Sequence, residues 1–369
     1  MKKILGFVKR EPVLVAAALA AGISCFFVVP DKVYLSYIDF RTLALLYSLM
    51  TVIAGFRKAG LFDRMALALC RKSGQVRLLG ILLVLMCFVS SMLITNDVAL
   101  LTFVPFTFAV LSPEITRRFR IPVVVLETVA ANLGSMLTPV GNPQNLYLYS
   151  FYGFSIGSFL SATFPFWILS LFLILLLCLF LPRERVGIRT EAAPEVEPRT
   201  LAVSLVLFVV CLAAVLRFLP WPVMLGIVLL GFFLLDRKLL GKADFLLLLT
   251  FVFFFVFSGN LARIEPVREF LHRILSGREF TASLLTSQVI SNVPAALLLA
   301  GFTGNAKALL LGVNVGGLGT PIASLASLIS LKLYSAEEGA RPMRFLLVFS
   351  LVNLLLLVLL GLFRFLLPS

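Results

Sequence analysis

Long runs of apolar residues, separated by short polar and charged segments, make up most of this chain. Most runs hold about 17–25 residues, the length at which an α-helix crosses a bilayer. Full spans are predicted at residues 13–29, 38–56, 121–150, 158–181, 200–216, 221–236, 244–260, 305–334 and 343–366, and helical hairpins at 78–112 and 280–303. The ten-residue alternation of outer-membrane barrel strands is absent, so the pattern predicts an all-α, polytopic membrane protein.

Two of these spans, 121–150 and 305–334, contain residues that interrupt a helix. The first includes NLGSMLTPVGNPQN at residues 132–145, and the second includes NVGGLGTPIAS at residues 314–324. The two stretches align, with Asn132 opposite Asn314, Gly134 opposite Gly316, Thr138 opposite Thr320 and Pro139 opposite Pro321. Unwound backbone survives at membrane depth only where it lines a protein-enclosed cavity. A matched pair of broken spans therefore predicts the solute site of a transporter.

Each hairpin is also interrupted by a polar tip. The first tip is Thr95-Asn96-Asp97, and the second begins with Ser291-Asn292. If the tips lie inside the membrane, the hairpins are re-entrant, and the first turn of each second arm offers backbone N–H groups to an anion. Hydroxyls, carbonyls and amide oxygens at the same breaks suit Na⁺. The alternative is an ordinary hairpin with its turn in water; the broken span after each hairpin favours the re-entrant form.

A polar linker at residues 182–199 divides the chain into two halves. The first half, 1–181, is predicted to be one repeat, and 200–369 to be an extra span before the second repeat. A short charged helix follows a span in each half, at 57–72 and 263–278, and Asp39-Phe40 and Asp244-Phe245 open the equivalent spans. Because the extra span near 200–216 reverses the direction of all later spans, the second repeat is predicted to be inverted relative to the first.

Composition and charge agree with a membrane protein. The chain is 60% hydrophobic and 14% charged, with a mean hydropathy of +1.07, which excludes an ordinary soluble domain. The net charge of +14 is interpreted as loop charge that sets topology, not as a nucleic-acid surface. Most of the 32 Lys and Arg residues fall in segments predicted to be cytoplasmic, with the N-terminus inside the cell and the first apolar run interpreted as a span. The 5 cysteines lack CxxC spacing and His272 is the single histidine, so no metal centre or other cofactor is predicted.

The tips and breaks resemble those of a known transporter group. TNDVALLTFVPF at residues 95–106 and SNVPAALLL at residues 291–299 are similar to the two hairpins of arsenite/antimonite permeases. TPVGNPQN at residues 138–145 resembles citrate-transporter-type and silicon-efflux proteins, and the two tips occupy the places of the Ser-Asn-Thr motifs of sodium-coupled dicarboxylate carriers. Apart from the linker, nearly the whole chain resembles the ion transporter superfamily.

The resemblance implies a scaffold and a mobile transport domain, an elevator-like motion and a homodimer. It implies that Asn96 and Asn292 touch substrate or Na⁺ at the hairpin tips. The residues implied to line the broken spans are Thr138, Gly141, Asn142 and Asn145 in the first, and Thr320, Pro321 and Ser324 in the second. The chain departs from the dicarboxylate pattern at two positions, where Asp97 and Val293 each replace a threonine.

Two acidic residues and two asparagines in apolar segments carry further hypotheses. Asp97 is a proton carrier, a cation ligand or an N-cap of the second hairpin arm. Glu127 follows Pro122 by about one turn, which favours a helix N-terminal carboxylate. Asn260 is interpreted as a helix C-terminal stop, and Asn353 as a residue that makes an interhelical hydrogen bond.

The leading hypothesis is a secondary active transporter in the inner membrane, moving a small anion or oxyanion coupled to H⁺ or Na⁺. No arginine falls in the predicted broken loops, so N–H and amide groups are expected to hold the anion. Arsenite or antimonite efflux and Na⁺/H⁺ antiport through Asp97 are the alternatives. An enzyme is disfavoured because no nucleophile–base pair or metal cluster falls near the membrane midplane.

Overall fold

The computed structural model describes residues 11–70, 75–111, 113–184 and 195–366; the predicted N-terminal segment 1–10 and most of the predicted linker lie outside them. The α-helices in these residues are α1 Pro12–Phe27, α2 Tyr34–Tyr37, α3 Phe40–Lys58, α4 Leu61–Cys70, α5 Val76–Ile94, α6 Asn96–Val110, α7 Pro113–Gly134, α8 Pro143–Phe151, α9 Ile156–Cys178, α10 Pro198–Val215, α11 Trp221–Leu235, α12 Phe245–Arg263, α13 Glu265–Leu275, α14 Glu279–Ile290, α15 Asn292–Leu299, α16 Ala306–Val315, α17 Leu325–Ser335 and α18 Pro342–Leu366. Short 3₁₀ helices occupy Ser135–Leu137, Arg237–Lys242, Ala300–Phe302 and Pro321–Ala323.

Seven helical segments in the described residues are long and apolar enough to cross a bilayer. They are Phe40–Lys58, Val76–Ile94, Phe119–Leu137, Ile156–Cys178, Pro198–Val215, Phe245–Arg263 and Pro342–Leu366. Two predicted spans are shorter helices, α1 with 16 residues and α11 with 15. At 1.5 Å per residue they are about 22–24 Å long, less than the hydrocarbon core. The prediction of an all-α, polytopic membrane protein is confirmed.

Both predicted hairpin tips are present as a single residue between two helices. Thr95 separates α5 from α6 with φ 69° and ψ 150°, and Ser291 separates α14 from α15 with φ 76° and ψ 155°. A residue other than glycine at such a positive φ costs on the order of 1 kcal/mol or more. The same costly backbone conformation at both tips means that each is held in place by its surroundings.

Both predicted broken spans are also interrupted. After α7, the 3₁₀ helix Ser135–Leu137 and a turn at residues 138–142 lead to α8, which begins at Pro143. After α16, a non-helical stretch and the 3₁₀ helix Pro321–Ala323 lead to α17. Proline opens α8 and the second 3₁₀ helix because it has no N–H to leave unpaired and its φ is already helical. The breaks therefore lie at the positions that the sequence predicts.

The two spans predicted to open at an aspartate do so. Asp39 precedes α3 and its Oδ1 accepts a hydrogen bond of 3.0 Å from the Thr42 N–H. Asp244 precedes α12 and its Oδ1 accepts one of 2.9 Å from the Leu247 N–H. Each carboxylate satisfies a backbone donor that the first turn leaves free, which fixes where the helix begins.

Three expectations about single polar residues are wrong. Glu127 is not at a helix N-terminus, because α7 begins at Pro113 and continues through Pro122; the Glu127 side chain is buried and accepts a hydrogen bond from the Thr107 hydroxyl at 2.6 Å. Asn260 does not end a helix, since α12 continues to Arg263. Its Nδ2 donates to Ser24 Oγ of α1 at 2.9 Å. Asn353 donates to the Phe349 carbonyl inside α18 at 2.9 Å, and this bond is not interhelical.

Close packing of α14 against α16 depends on a glycine. A Cβ added at Gly312 would overlap the Ser283 hydroxyl and the Phe280 carbonyl oxygen. The Gly312→Ala variant is therefore expected to lose about 1–3 kcal/mol of stability, because the two helices must move apart. Thermal unfolding of purified protein in detergent measures this as a lower midpoint. Gly226→Ala is the control, since a Cβ at Gly226 meets nothing within 4 Å. Equal midpoints for the two variants would mean that the helix packing does not depend on Gly312.

Candidate functional site

The two hairpin tips use an asparagine in the same way. Asn96 Oδ1 accepts a 2.9 Å hydrogen bond from the Asp97 N–H, and Asn292 Oδ1 accepts one of 2.9 Å from the Val293 N–H. Each amide oxygen thus caps a free donor in the first turn of its helix. Both side chains are buried. The amide nitrogen of Asn96 remains available, and it donates to Asn132 Oδ1 at 3.0 Å.

Asn132 connects the first hairpin tip with the second broken segment. Its Oδ1 accepts from Asn96 and also from Ser324 Oγ at 2.8 Å. Its Nδ2 lies 3.4 Å from Ser327 Oγ. The sequence draws attention to Asn132 only through its alignment with Asn314, and the structure makes it the residue through which three segments meet.

Asn314 makes the matching contact in the other direction. Its Nδ2 donates to Asn145 Oδ1 at 2.7 Å and to the Leu310 carbonyl at 2.8 Å. In the alignment of the two broken stretches, Asn132 matches Asn314 and Asn145 matches Ser327. The bond from Asn314 to Asn145 and the contact from Asn132 to Ser327 are therefore equivalent. They join the same two aligned positions, with the first and second halves of the chain exchanged.

The aligned threonines hold each broken segment to the hairpin of its own half. Thr138 Oγ1 donates to the Met92 carbonyl, and Thr320 Oγ1 donates to the Gln288 carbonyl at 3.0 Å. Each acceptor lies three residues before its tip. Thr320 is exposed, whereas Thr138 is partly buried. In both halves the threonine fixes the height of the break relative to the tip.

The remaining predicted residues of the first break pack tightly against it. The Gly141 carbonyl accepts from the Asn96 N–H at 3.2 Å, and a Cβ at Gly141 would overlap the Ser135 carbonyl oxygen. Asn142 Nδ2 donates to Ser135 Oγ at 2.5 Å, while its buried Oδ1 has no partner among the described residues. Asn145 Nδ2 lies 3.3 Å from the Ser135 carbonyl oxygen.

The second break is tied to the hairpin of its own half. Gln288 Nε2 donates to the Gly316 carbonyl at 2.8 Å and to the Leu318 carbonyl at 3.0 Å, and its Oε1 accepts from the Thr320 N–H at 3.0 Å. Ser291 Oγ lies 3.3 Å from the Ala323 carbonyl oxygen, which ties that tip to the end of the 3₁₀ helix. Pro321 begins this 3₁₀ helix and is partly exposed. Ser291 and Asn292 are buried, and none of these three side chains reaches the cavity that lies beside the first tip.

This cavity, of about 200 Å³, is enclosed by the first tip, the first break and the neighbouring helices. Its polar lining includes Thr95, Asp97 and Asn142, and its charged lining also includes Arg57, Lys242 and Asp244. Its apolar lining is Leu46, Leu49, Met50, Ile53, Ala54, Val98, Leu101, Val140, Pro143, Leu146, Leu247, Leu325 and Ile329. Arg57, Lys242 and Asp244 are exposed, so they mark the mouth of the cavity.

Residues at the N-termini of three helices line this cavity. Asp97 belongs to the first turn of α6, Pro143 is the first residue of α8, and Leu325 is the first residue of α17. The first two N–H groups of α6 are already bonded, to the Gly141 carbonyl and the Asn96 side chain, and Pro143 has no N–H. It is therefore mainly the partial positive charge of these helix N-termini that favours a negatively charged ligand. The arrangement of three such ends around one space is suited to a small anion.

Asp97 places a carboxyl group in the same space. The Asp97 N–H is capped by the Asn96 side chain, and Asp97 Oδ1 is buried without a hydrogen-bond partner among the described residues. A carboxyl oxygen in this position is costly unless it is protonated or meets a cation. Within the described residues, no three His, Cys, Asp or Glu side chains come together as a metal site.

Arg57 is one of three charged residues of the cavity lining, with Lys242 and Asp244, that sequence reasoning missed. It lies in the last turn of α3, next to Lys58, and the sequence pattern favours loop charge that sets topology for both. The two side chains leave the last turn of α3 in different directions. Arg57 therefore lines the cavity, whereas Lys58 does not. The sequence signal was the basic pair itself, at the end of a span that precedes the first hairpin.

The spanning helices, the paired polar breaks and the cavity beside the first tip define a polytopic membrane transport protein. The chain belongs to the citrate transporter family, whose model matches residues 4–308. It is 34% identical over 332 residues to an uncharacterized transporter of Methanocaldococcus jannaschii, covering 88% of both chains. It is also 34% identical over 325 residues to the inner membrane protein YbiR of Escherichia coli, covering 85% of this chain and 86% of that protein. A 46 kDa membrane protein of Mycobacterium leprae is 26% identical over 360 residues, covering 84% of this chain and 81% of the relative.

Proposed function

We propose that this protein is a secondary active transporter that moves a small anion across the membrane, coupled to H⁺ or Na⁺. The observation that carries the proposal is the lining of the cavity, where three helix N-termini and the Asp97 carboxyl group meet. The helix ends favour the anion. Asp97 is the group through which a proton or cation is bound with it, since a buried acid among anion-binding groups is costly when ionised and alone.

A carboxylate is the class of anion that the family favours. The matching family model is that of a citrate transporter, and a carboxylate accepts hydrogen bonds from several N–H groups at once. The cavity, at about 200 Å³, suits a small carboxylate and not a large polyanion.

The two halves of the chain act as inverted repeats with re-entrant hairpins in this proposal. The equal backbone conformations of Thr95 and Ser291 support it. So do the paired contacts from Asn132 to Ser327 and from Asn314 to Asn145, which interchange the two halves. An elevator-like motion would then carry the tips and breaks past α3 and α12 as one body.

The orientation, location and assembly of the protein are part of the same proposal. Arg57, Lys58 and Lys242 cluster at the face where the cavity opens, and an excess of basic residues marks the cytoplasmic side. The cavity is then open to the cytoplasm and the N-terminus is cytoplasmic. A homodimer in the inner membrane is inferred from the resemblance to the superfamily.

Flux in proteoliposomes tests the proposal. Succinate, citrate and arsenite are offered separately to purified protein, with an imposed Na⁺ gradient and then an imposed pH gradient. Saturable uptake of a carboxylate driven by one of the two gradients is expected, and the effective gradient names the coupling ion. Protein-free liposomes are the control. Arsenite movement without carboxylate movement, or no solute movement at all, would overturn the proposal.

Na⁺/H⁺ antiport is the second candidate function, favoured by the unpartnered Asp97 Oδ1 within the described residues. In that case Asp97 binds Na⁺ and H⁺ in turn, and no anion enters the cavity. Na⁺-dependent alkalinisation of the vesicle lumen without carboxylate flux would establish it. The helix N-termini that line the same cavity disfavour it, because their partial positive charge favours an anion over Na⁺.

A further inference from the structure

Arg57 projects from the end of α3 into the entrance of the cavity. It lines the cavity that holds Asp97 and also an adjoining, more open space of about 380 Å³ lined by residues that include Phe62, Thr102 and Phe106. The two spaces share Arg57 and Leu101. A solute that passes through this open space to the helix N-termini therefore passes the guanidinium group.

The Arg57 side chain makes no ion pair or hydrogen bond with any residue that the structure describes. Lys58, the next residue, is engaged: its Nζ lies 3.1 Å from Asp236 Oδ2 and 3.9 Å from Glu197 Oε2. The Lys238 N–H and the Lys58 ammonium group hold the pKa of the Asp236 carboxyl below its usual range. Lys58 therefore has ion-pair partners. Arg57, the adjacent cation at the cavity mouth, has none among the described residues.

The cavity thus has two regions that attract negative charge. The inner region is formed by the N-termini of α6, α8 and α17, and the outer region is Arg57, with Lys242 and Asp244, which carry opposite charges, on the same rim. Between them the wall is apolar, formed by residues such as Leu49, Ile53 and Leu101. A molecule with one acidic group satisfies one region, whereas a molecule with an apolar middle and an acid at each end satisfies both.

We propose that Arg57 selects solutes with two or more carboxylates, by pairing with the outer carboxylate while the helix N-termini hold the inner one. This inference rests on the proposed anion transport. A guanidinium group binds a carboxylate through two parallel N–H···O bonds, a geometry that the point charge of a lysine cannot reproduce. The acids of the cavity do not compete for it directly, since the ion pairs among the described residues include none between Arg57 and Asp97 or Asp244.

The test compares succinate with succinamate, in which one carboxylate is replaced by an uncharged amide of similar shape. Each is used as a competitor of labelled citrate or succinate uptake into proteoliposomes. The Arg57→Gln variant is expected to need about tenfold more succinate for half-inhibition than the native protein, because one charge-assisted pair is lost at a partly solvated site. Inhibition by succinamate is expected to be unchanged, so the native preference for succinate disappears.

Two further variants separate this role from a structural one. Lys58→Gln removes an adjacent cation that does not line the cavity, and it is expected to keep the native preference. Arg57→Lys keeps the charge without the planar fork, and it is expected to restore part of the preference. Raising the salt concentration is expected to weaken succinate inhibition in the native protein more than in Arg57→Gln, since the rim is exposed.

The outcomes distinguish this inference from the proposed function. Native protein that moves no carboxylate would sink both. Native flux with an Arg57→Gln variant that still prefers succinate would overturn the role of Arg57 and leave anion transport standing. An equal loss of succinate and succinamate inhibition in Arg57→Gln would also overturn it, because selection by charge number predicts a change in only one.

Discussion

Replacing Asn132 with alanine is expected to reduce solute flux about 100-fold while the protein still folds. The Asn132 side chain accepts from Asn96 and Ser324 and is directed at Ser327, so it joins the first tip to the second break. Its loss leaves two buried donors without an acceptor, at a cost of about 1–3 kcal/mol each. The tips and breaks relax away from each other, and a displacement of about 1 Å is enough to lower function by two orders of magnitude.

Initial rates of carboxylate uptake measure this effect, with the yield, gel-filtration profile and unfolding midpoint of the purified variant measured alongside. Asn353→Ala is the matched control, since Asn353 is also a buried asparagine but, among the described residues, bonds only within α18. It is expected to keep the native rate. Equal rates for the native protein and a well-folded Asn132→Ala variant would mean that the network is not part of the transport site.

Breaks in the helices could be predicted because their causes are local. Thr95 and Ser291 each end a helix immediately before an asparagine that caps the next one, and Pro143 and Pro321 each begin one. These effects depend on residues that are adjacent in the chain. The alignment of the two broken stretches rests on the same local chemistry, which explains why the positions of both tips and both breaks agree with the sequence.

Contacts between the breaks could not be predicted, because they depend on how distant segments pack. The bond from Ser324 to Asn132 joins residues 192 positions apart, and the bond from Asn314 to Asn145 joins residues 169 apart. A sequence pattern predicts that these residues are polar and near a break, but not which pairs meet. The predicted site residues accordingly include both residues of the cavity wall, such as Asn142, and residues that hold a break in place, such as Thr320.

The direction of a side chain at a helix end was equally beyond the sequence. Arg57 and Lys58 have the same charge and are adjacent, yet Arg57 faces the cavity, whereas Lys58 forms an ion pair with Asp236. Successive residues in a helix point about 100° apart, so only the packing of α3 decides which of them reaches the cavity. The prediction for Glu127 is wrong for a related reason, because Pro122 is typical of a helix start although α7 begins at Pro113.

The Asp97→Asn variant is expected to lose gradient-driven accumulation of the solute while it still exchanges solute across the membrane. With one coupling ion carried per solute, a tenfold ion gradient supports about tenfold accumulation by the native protein. Asparagine has the shape of a protonated aspartate, but it cannot bind or release a proton and carries no charge to balance a cation. The anion therefore binds with no ion accompanying it. With the membrane potential held at zero, accumulation then stops at equal concentrations inside and outside, whatever ion gradient is imposed.

Solute counterflow distinguishes uncoupling from a simple loss of the site, since exchange needs an intact cavity but no gradient. Asp244→Asn is the matched control, because Asp244 lines the same cavity and serves as the N-cap of α12, a role that asparagine fills equally well. It is expected to accumulate solute like the native protein. Loss of both accumulation and counterflow in Asp97→Asn, with Asp244→Asn unaffected, would instead make Asp97 a residue that solute binding itself requires, and not only the coupling group. Retained accumulation in Asp97→Asn would place the coupling ion elsewhere in the protein.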